Sequence, residues 1–157
     1  VQSKNVSVGG SRVLGGDHQI PMQIVDPPGE SWSWVMVNGG ANDLNQTCDC
    51  GDCDAVMAQL VSDDGSTGAM PDLVDSLRQG GAQVMLLDYF GFTDAAQFGF
   101  DRCDEELPVL QQRYERLAEQ RDGVTFFDMG IVVEPSNTSA YLAPTLPTRY
   151  MPAACRP

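Results

Sequence analysis

One lysine, one histidine and no long apolar run bound this chain before any motif is read. No stretch approaches the roughly 20 apolar residues that a bilayer-spanning helix needs, so a transmembrane segment is not expected. Nine basic residues face 22 acidic ones for a formal net charge of −13, and Lys4 is the sole lysine. Such a surface repels phosphate backbones and anionic bilayers, which argues against nucleic acid or an acidic membrane as partner. The sole histidine, His18, follows Asp17 in a loop-like stretch and reads as a surface residue rather than a catalytic base. A Met start is also missing, as is a basic segment leading into an apolar one. Val1 is therefore read as the product of processing or truncation, not as the translated start.

What is present suits one globular domain spanning residues 1–157, with 42% apolar residues to build its core. Cysteine is the unusual component. Cys48, Cys50 and Cys53 crowd into "CDCGDC", with Cys103 and Cys155 far off. A zinc site would need a fourth ligand, usually from a second spaced pair, and the sequence offers none. A disulfide within the loop, or from the loop to Cys103, is the expected use, ahead of free thiols or a metal. Disulfides imply an oxidising compartment, so the chain is read as exported, periplasmic or extracellular. Three Asn-x-Ser/Thr sequons, at Asn5, Asn45 and Asn137, agree with export.

Periodicity predicts alternating strands and helices. "NVSV" (Asn5–Val8) reads as a short strand, and residues 11–30 as mostly loop with one helical turn. Trp32, Trp34, Val35, Met36 and Val37 suit a strand covered on at least one face. "DAVMAQLVS" (Asp54–Ser62) carries a helical apolar stripe. Pro71 is expected to open a second helix, with Leu73, Val74 and Leu77 on one face and Gly80-Gly81 at its end. "AQVMLLDYF" reads as a central parallel strand. Asp104 is expected to cap a helix whose Leu107, Leu110, Tyr114 and Leu117 share a face, and "VTFFDM" reads as a further strand. The prolines after residue 134 exclude regular structure from most of the tail. The sum is an α/β fold, a parallel sheet with covered faces.

Within that frame "SWSWVMVNGGANDL" runs from a buried-looking strand into two glycines and an Asn-Asp pair. Open α/β sheets place ligand sites just past the carboxyl ends of their strands. An Asn/Asp-stabilised turn with no chemistry is the plainer reading.

Gly40-Ala41-Asn42-Asp43 resembles the Gly-x-Asn-Asp block of the SGNH (GDSL-like) hydrolases. "NVSVGGSRV" is similar to their preceding block, with Gly10 as its glycine. "CDCGDC" placed just after Gly-x-Asn-Asp resembles a bacterial subgroup, and the likeness covers Asn5 to Met129. It implies a three-layer α/β/α sandwich with a flavodoxin-like parallel sheet. It also implies an ester hydrolase working through a serine acyl-enzyme, with an oxyanion hole made of the Gly10 N–H and the Asn42 side chain. Asp43 would brace the turn, and no metal or organic cofactor is implied. Substrates would be small-molecule, glycan or lipid esters.

Two of the family's blocks are absent. No Gly-Asp-Ser, which carries the nucleophile, and no Asp-x-x-His, which carries the base, occurs in these 157 residues. Ser11 is a weaker candidate nucleophile, since its interval to Asn42 suits the second block better than the first. The expectation is a domain lacking its N-terminal strand and C-terminal catalytic segment here. The competing readings are a non-catalytic exported binding or assembly subunit on the same scaffold, and an unrelated α/β domain with a Cys-rich metal loop. In the family the Gly-Asp-Ser strand lies between the strands matching Asn5–Val8 and Ser33–Val37. With strands about 4.8 Å apart, its absence leaves a slot of roughly 9.6 Å. A preceding segment is expected to fill it, rather than a partner chain or direct pairing of the two neighbours.

Overall fold

The computed structural model describes residues 3–16, 19–24, 32–89, 102–103 and 105–129. Three short parallel strands, β1 (Trp34–Val37), β2 (Gln83–Leu87) and β3 (Val124–Phe127), lie in the order β1-β2-β3. Trp34 stands opposite Gln83 and Val84 opposite Val124, so the register runs unbroken across the sheet. Helices α1 (Ile20–Gln23), α2 (Ala41–Thr47), α3 (Asp54–Leu60), α4 (Ala69–Gln79) and α5 (Glu106–Glu119) complete the described elements.

Both crossovers, β1 to β2 and β2 to β3, step the same way across the sheet. A right-handed β-helix-β connection then puts their helices on one face. The contacts agree: α4 packs on β2 and α5 on β3, while α3 touches both α2 and α4. Alternation along the strands turns Val37, Val84 and Leu86 into that helical layer, all buried, with Val35, Val124 and Phe126 packed beside them. Burying each such side chain contributes about 1.5–3 kcal/mol. The opposite side chains fare differently. Trp34 is 56% exposed, Met36 67% and Phe127 38%. Among the described residues, β1 pairs on one side only.

The periodic segments fold as the sequence predicts, with small shifts of boundary. Pro71 is the third residue of α4, still in the first turn, where a missing N–H breaks no bond within the helix. The predicted stripe of α5 is realised, with Leu110, Tyr114 and Leu117 buried and Leu107 partly so. Asp104, the expected cap, lies outside the described residues, and α5 starts after Glu105. The expected helical turn within residues 11–30 is α1.

Two expectations are corrected. Residues 5–8 form no strand: the Ser7 N–H is taken locally by Asn5 Oδ1 at 2.9 Å, and no described strand lies alongside to offer a ladder. Residues 41–43 are not a turn but the first turn of α2. Gly40 precedes that helix, and its carbonyl accepts the Leu44 N–H at 3.1 Å.

The cysteine loop closes as two disulfides, Cys48–Cys53 within it and Cys50–Cys103 across 53 residues. Asp49 and Cys50 sit in the left-handed region at φ 54° and 49°, a local cost that the crosslinks hold in place. Arg102 grips Asp49 with both guanidinium nitrogens, an exposed pair that adds little stability. Removing the longer crosslink with Cys50→Ala and Cys103→Ala should lower unfolding free energy by about 4 kcal/mol, from loop-closure entropy. Urea denaturation measures the loss. Thiol titration of the denatured, unreduced protein should find at most one of the five cysteines reactive, and five would contradict both crosslinks.

Candidate active site

The carboxyl ends of the three strands converge on a cluster of polar groups. Asn38, just past β1, donates from Nδ2 to the carbonyls of Leu87 (3.1 Å) and Asp88 (2.9 Å), tying that end to β2. Asp88 is buried, and its Oδ1 accepts the Met129 N–H at 2.6 Å, tying β2 to the residues after β3. Burial raises the Asp88 pKa above its ordinary 3.8, and the neighbouring Asp128 charge pushes it further.

Between these ends and α2 lie Gly39 and Gly40, and packing explains both. A Cβ on Gly39 would sit 2.5 Å from Ile20 Cδ1 and 3.1 Å from Val13 Cγ2. A Cβ on Gly40, at φ 105°, would meet the Tyr114 hydroxyl at 2.7 Å and Leu110 Cδ2 at 2.9 Å. Side chains of Val13 and Ile20 press on one glycine and α5 on the other, and Gly40, at positive φ, is the one where a side chain would be strained whatever its neighbours do.

The first turn of α2 then reaches back to the glycine loop. Asp43 is wholly buried, and its two carboxylate oxygens accept the N–H groups of Val13 (2.9 Å) and Leu14 (2.8 Å). Its pKa is nonetheless raised, because desolvation outweighs those two bonds and the nearby Arg12 charge. The adjacent Asn42 donates from Nδ2 to the Ser11 carbonyl at 3.0 Å, which fixes the plane of its amide. An amide nitrogen has two hydrogens, and this bond uses one. Gly10, next to Ser11, is exposed at φ 79°, and among the described residues no acceptor takes its N–H. Gln46 Nε2, one turn along α2, donates to the Gly10 carbonyl at 3.4 Å.

The structure therefore brings Gly10, Ser11, Asn42 and Asp43 together from segments about 30 residues apart. Ser11 is buried, its hydroxyl donating to the Val8 carbonyl (2.7 Å) and accepting from Gln23 Nε2 (2.6 Å). Neither partner is a base. His18 lies outside the described residues. Among the described residues, no cluster of three or more His, Cys, Asp or Glu could hold a metal ion. No described helix is long and apolar enough to cross a membrane. Asn38, Asp88, Gln23 and Tyr114 are the participants that sequence reasoning passed over. Asp88 carried a usable signal, a lone acid directly after a buried strand, the same signal that marks Asn42 and Asp43.

Open parallel α/β sheets place their ligand sites at the carboxyl edge, where these polar groups gather. The sequence profile of the GDSL-like Lipase/Acylhydrolase family matches residues 1–151, and the chain belongs to that family. Neither a curated protein nor a solved structure matches it.

Two outcomes test this geometry. Gly40→Ala combines a disfavoured φ with a clash against Tyr114 and Leu110, and should cost about 2–4 kcal/mol in urea unfolding. Asp88 gives a pH test. Its folded-state pKa lies above 3.8, so its contribution to stability is full below that value and lost as pH rises through the raised one. Asp88→Asn, which cannot ionise, should gain stability relative to wild type as pH rises above 3.8. A pH-independent difference between the two proteins would contradict the assignment.

Proposed function

We propose that the chain supplies the oxyanion hole of a serine ester hydrolase acting on a small-molecule, glycan or lipid ester. The observation that supports this is the Asn42 Nδ2 bond to the carbonyl of Ser11, the residue after Gly10. In the reaction a serine Oγ attacks the ester carbonyl carbon and gives its proton to a base. The carbonyl oxygen becomes an oxyanion, which accepts hydrogen bonds from Gly10 N–H and the second Nδ2 hydrogen of Asn42. Collapse expels the alcohol with that proton, and water then releases the acid from the acyl-serine. Asp43 takes no proton in this scheme: it holds residues 13–14 against α2 and so keeps the two donors in register. Donors fixed before the reaction stabilise charge that develops only in the transition state.

The sequence holds neither Gly-Asp-Ser nor Asp-x-x-His, so this reading assigns the nucleophile and base to no residue of the chain. Among the described residues β1 pairs on one side only, which leaves its other edge open to one further strand. Run parallel to β1, that strand would end at the same edge as Gly39 and Asn42. The two disulfides support an oxidising, exported setting.

The same absence favours the second reading, a non-catalytic exported binding or assembly subunit. The intact mass of the native polypeptide separates the two: extra mass bearing Gly-Asp-Ser and Asp-x-x-His sides with the enzyme, and 17.0 kDa with the subunit. In the enzyme, Asn42→Ala should lower kcat by about 10²–10³-fold, as loss of one oxyanion donor does, with KM changing much less. Full kcat in Asn42→Ala would remove the role given to this residue.

A further inference from the structure

Tyr114 is buried to 1% exposure in the middle of α5, where phenylalanine would fill the same apolar space without a hydroxyl to satisfy. A buried hydroxyl is costly unless it is bonded. This one donates to the Gly39 carbonyl at 3.1 Å, three residues before Asn42. The same oxygen stands 2.7 Å from the position of a Cβ on Gly40, so it limits movement of the turn as well as bonding to it. α5 is itself anchored to α2 on the far side of Asn42. Cys103, whose carbonyl accepts the Leu107 N–H at 3.0 Å, is crosslinked to Cys50.

We propose that Tyr114 is a positioning residue for the reaction, its hydroxyl fixing the Gly39–Gly40 turn so that the Asn42 amide holds its direction. The chain of effect has three steps. Tyr114 sets the Gly39 carbonyl, the turn sets the first residues of α2, and that turn of helix aims Asn42 at Ser11 and Asp43 at Val13 and Leu14. Without the hydroxyl the helix still forms, but its first turn gains freedom. The Asn42 donor is then no longer fixed in advance of the transition state. Ground-state binding of the ester is little affected, so the loss falls on kcat.

This inference rests on the hydrolase reading for its kinetic arm only. The experiment uses the full-length polypeptide, with p-nitrophenyl acetate as the ester and amide hydrogen exchange as a second readout. In Tyr114→Phe, kcat should fall about tenfold with KM within about twofold, the scale of one lost hydrogen bond. Exchange of the Val13 and Leu14 N–H groups should quicken about fivefold or more as the Asp43 clamp opens more often. Leu73→Ala is the control, truncating a buried side chain of α4 away from the turn. It should destabilise the fold yet leave both readouts within about twofold of wild type. Unchanged exchange in Tyr114→Phe overturns the proposal. So does faster exchange with wild-type kcat, which would make Tyr114 structural alone. A wild-type enzyme that does not cleave the ester sinks the hydrolase reading, and the exchange rates still decide whether Tyr114 fixes the turn.

Discussion

The Asp43 carboxylate, wholly buried and shared between the Val13 and Leu14 N–H groups, is the interaction on which the rest of the site depends. Hydrogen bonds to a charged group contribute about 1.5–3 kcal/mol each, against a desolvation cost that still leaves the group's pKa raised. The arrangement has a structural consequence. The glycine loop is held to α2 by three of its side chains, and Asp43 is the buried one, bonding Val13 and Leu14 while Asn42 and Gln46 reach the Ser11 and Gly10 carbonyls. The neighbouring residue on that turn, Asn42, then meets the Ser11 carbonyl with no further adjustment. Replacing the acid leaves two buried donors unmatched at once, so the loop and Asn42 would be released together.

Everything around Asp43 serves to keep that first turn in place. Two glycines let the 11–20 segment and α5 come within touching distance of the backbone. Asn38 knots the ends of β1 and β2, and Asp88 continues the tie to the residues beyond β3. At the other end of α2 the Cys48–Cys53 disulfide closes the loop that follows the helix, and Cys50–Cys103 binds its exit to the entry of α5. The sheet is therefore finished on its helical face and at its carboxyl edge. On its other face, among the described residues, Trp34, Met36 and Phe127 remain partly exposed.

Much of this was legible in the sequence because it depends on periodicity. The apolar spacing of "AQVMLLDYF" and of Leu107, Leu110, Tyr114 and Leu117 maps directly onto β2 and α5, since burial selects those positions whatever the partner. The disulfide loop was legible for a different reason: three crowded cysteines with no second ligand pair leave little else to do. What periodicity cannot carry was misread. "NVSV" has the composition of a strand, but strands need a neighbour, and Asn5 satisfies the Ser7 N–H locally instead. "GGAND" reads as a turn because two glycines disfavour helix, yet the helix begins one residue after them. Tyr114 looked like one more apolar stripe position, because a sequence does not reveal that its hydroxyl reaches a carbonyl 75 residues away.

The family likeness gave Gly10 and Asn42 a shared task before their proximity was visible, and the Asn42–Ser11 bond supports that task without performing it. The most direct measurement is a crystal structure of the full-length polypeptide inactivated by a phosphonate ester, whose tetrahedral phosphorus imitates the intermediate. The account predicts a phosphoryl oxygen within about 2.7–3.1 Å of both the Gly10 nitrogen and Asn42 Nδ2, with Asp43 still holding Val13 and Leu14. A phosphoryl oxygen bound elsewhere, with Gly10 and Asn42 facing solvent, would contradict it.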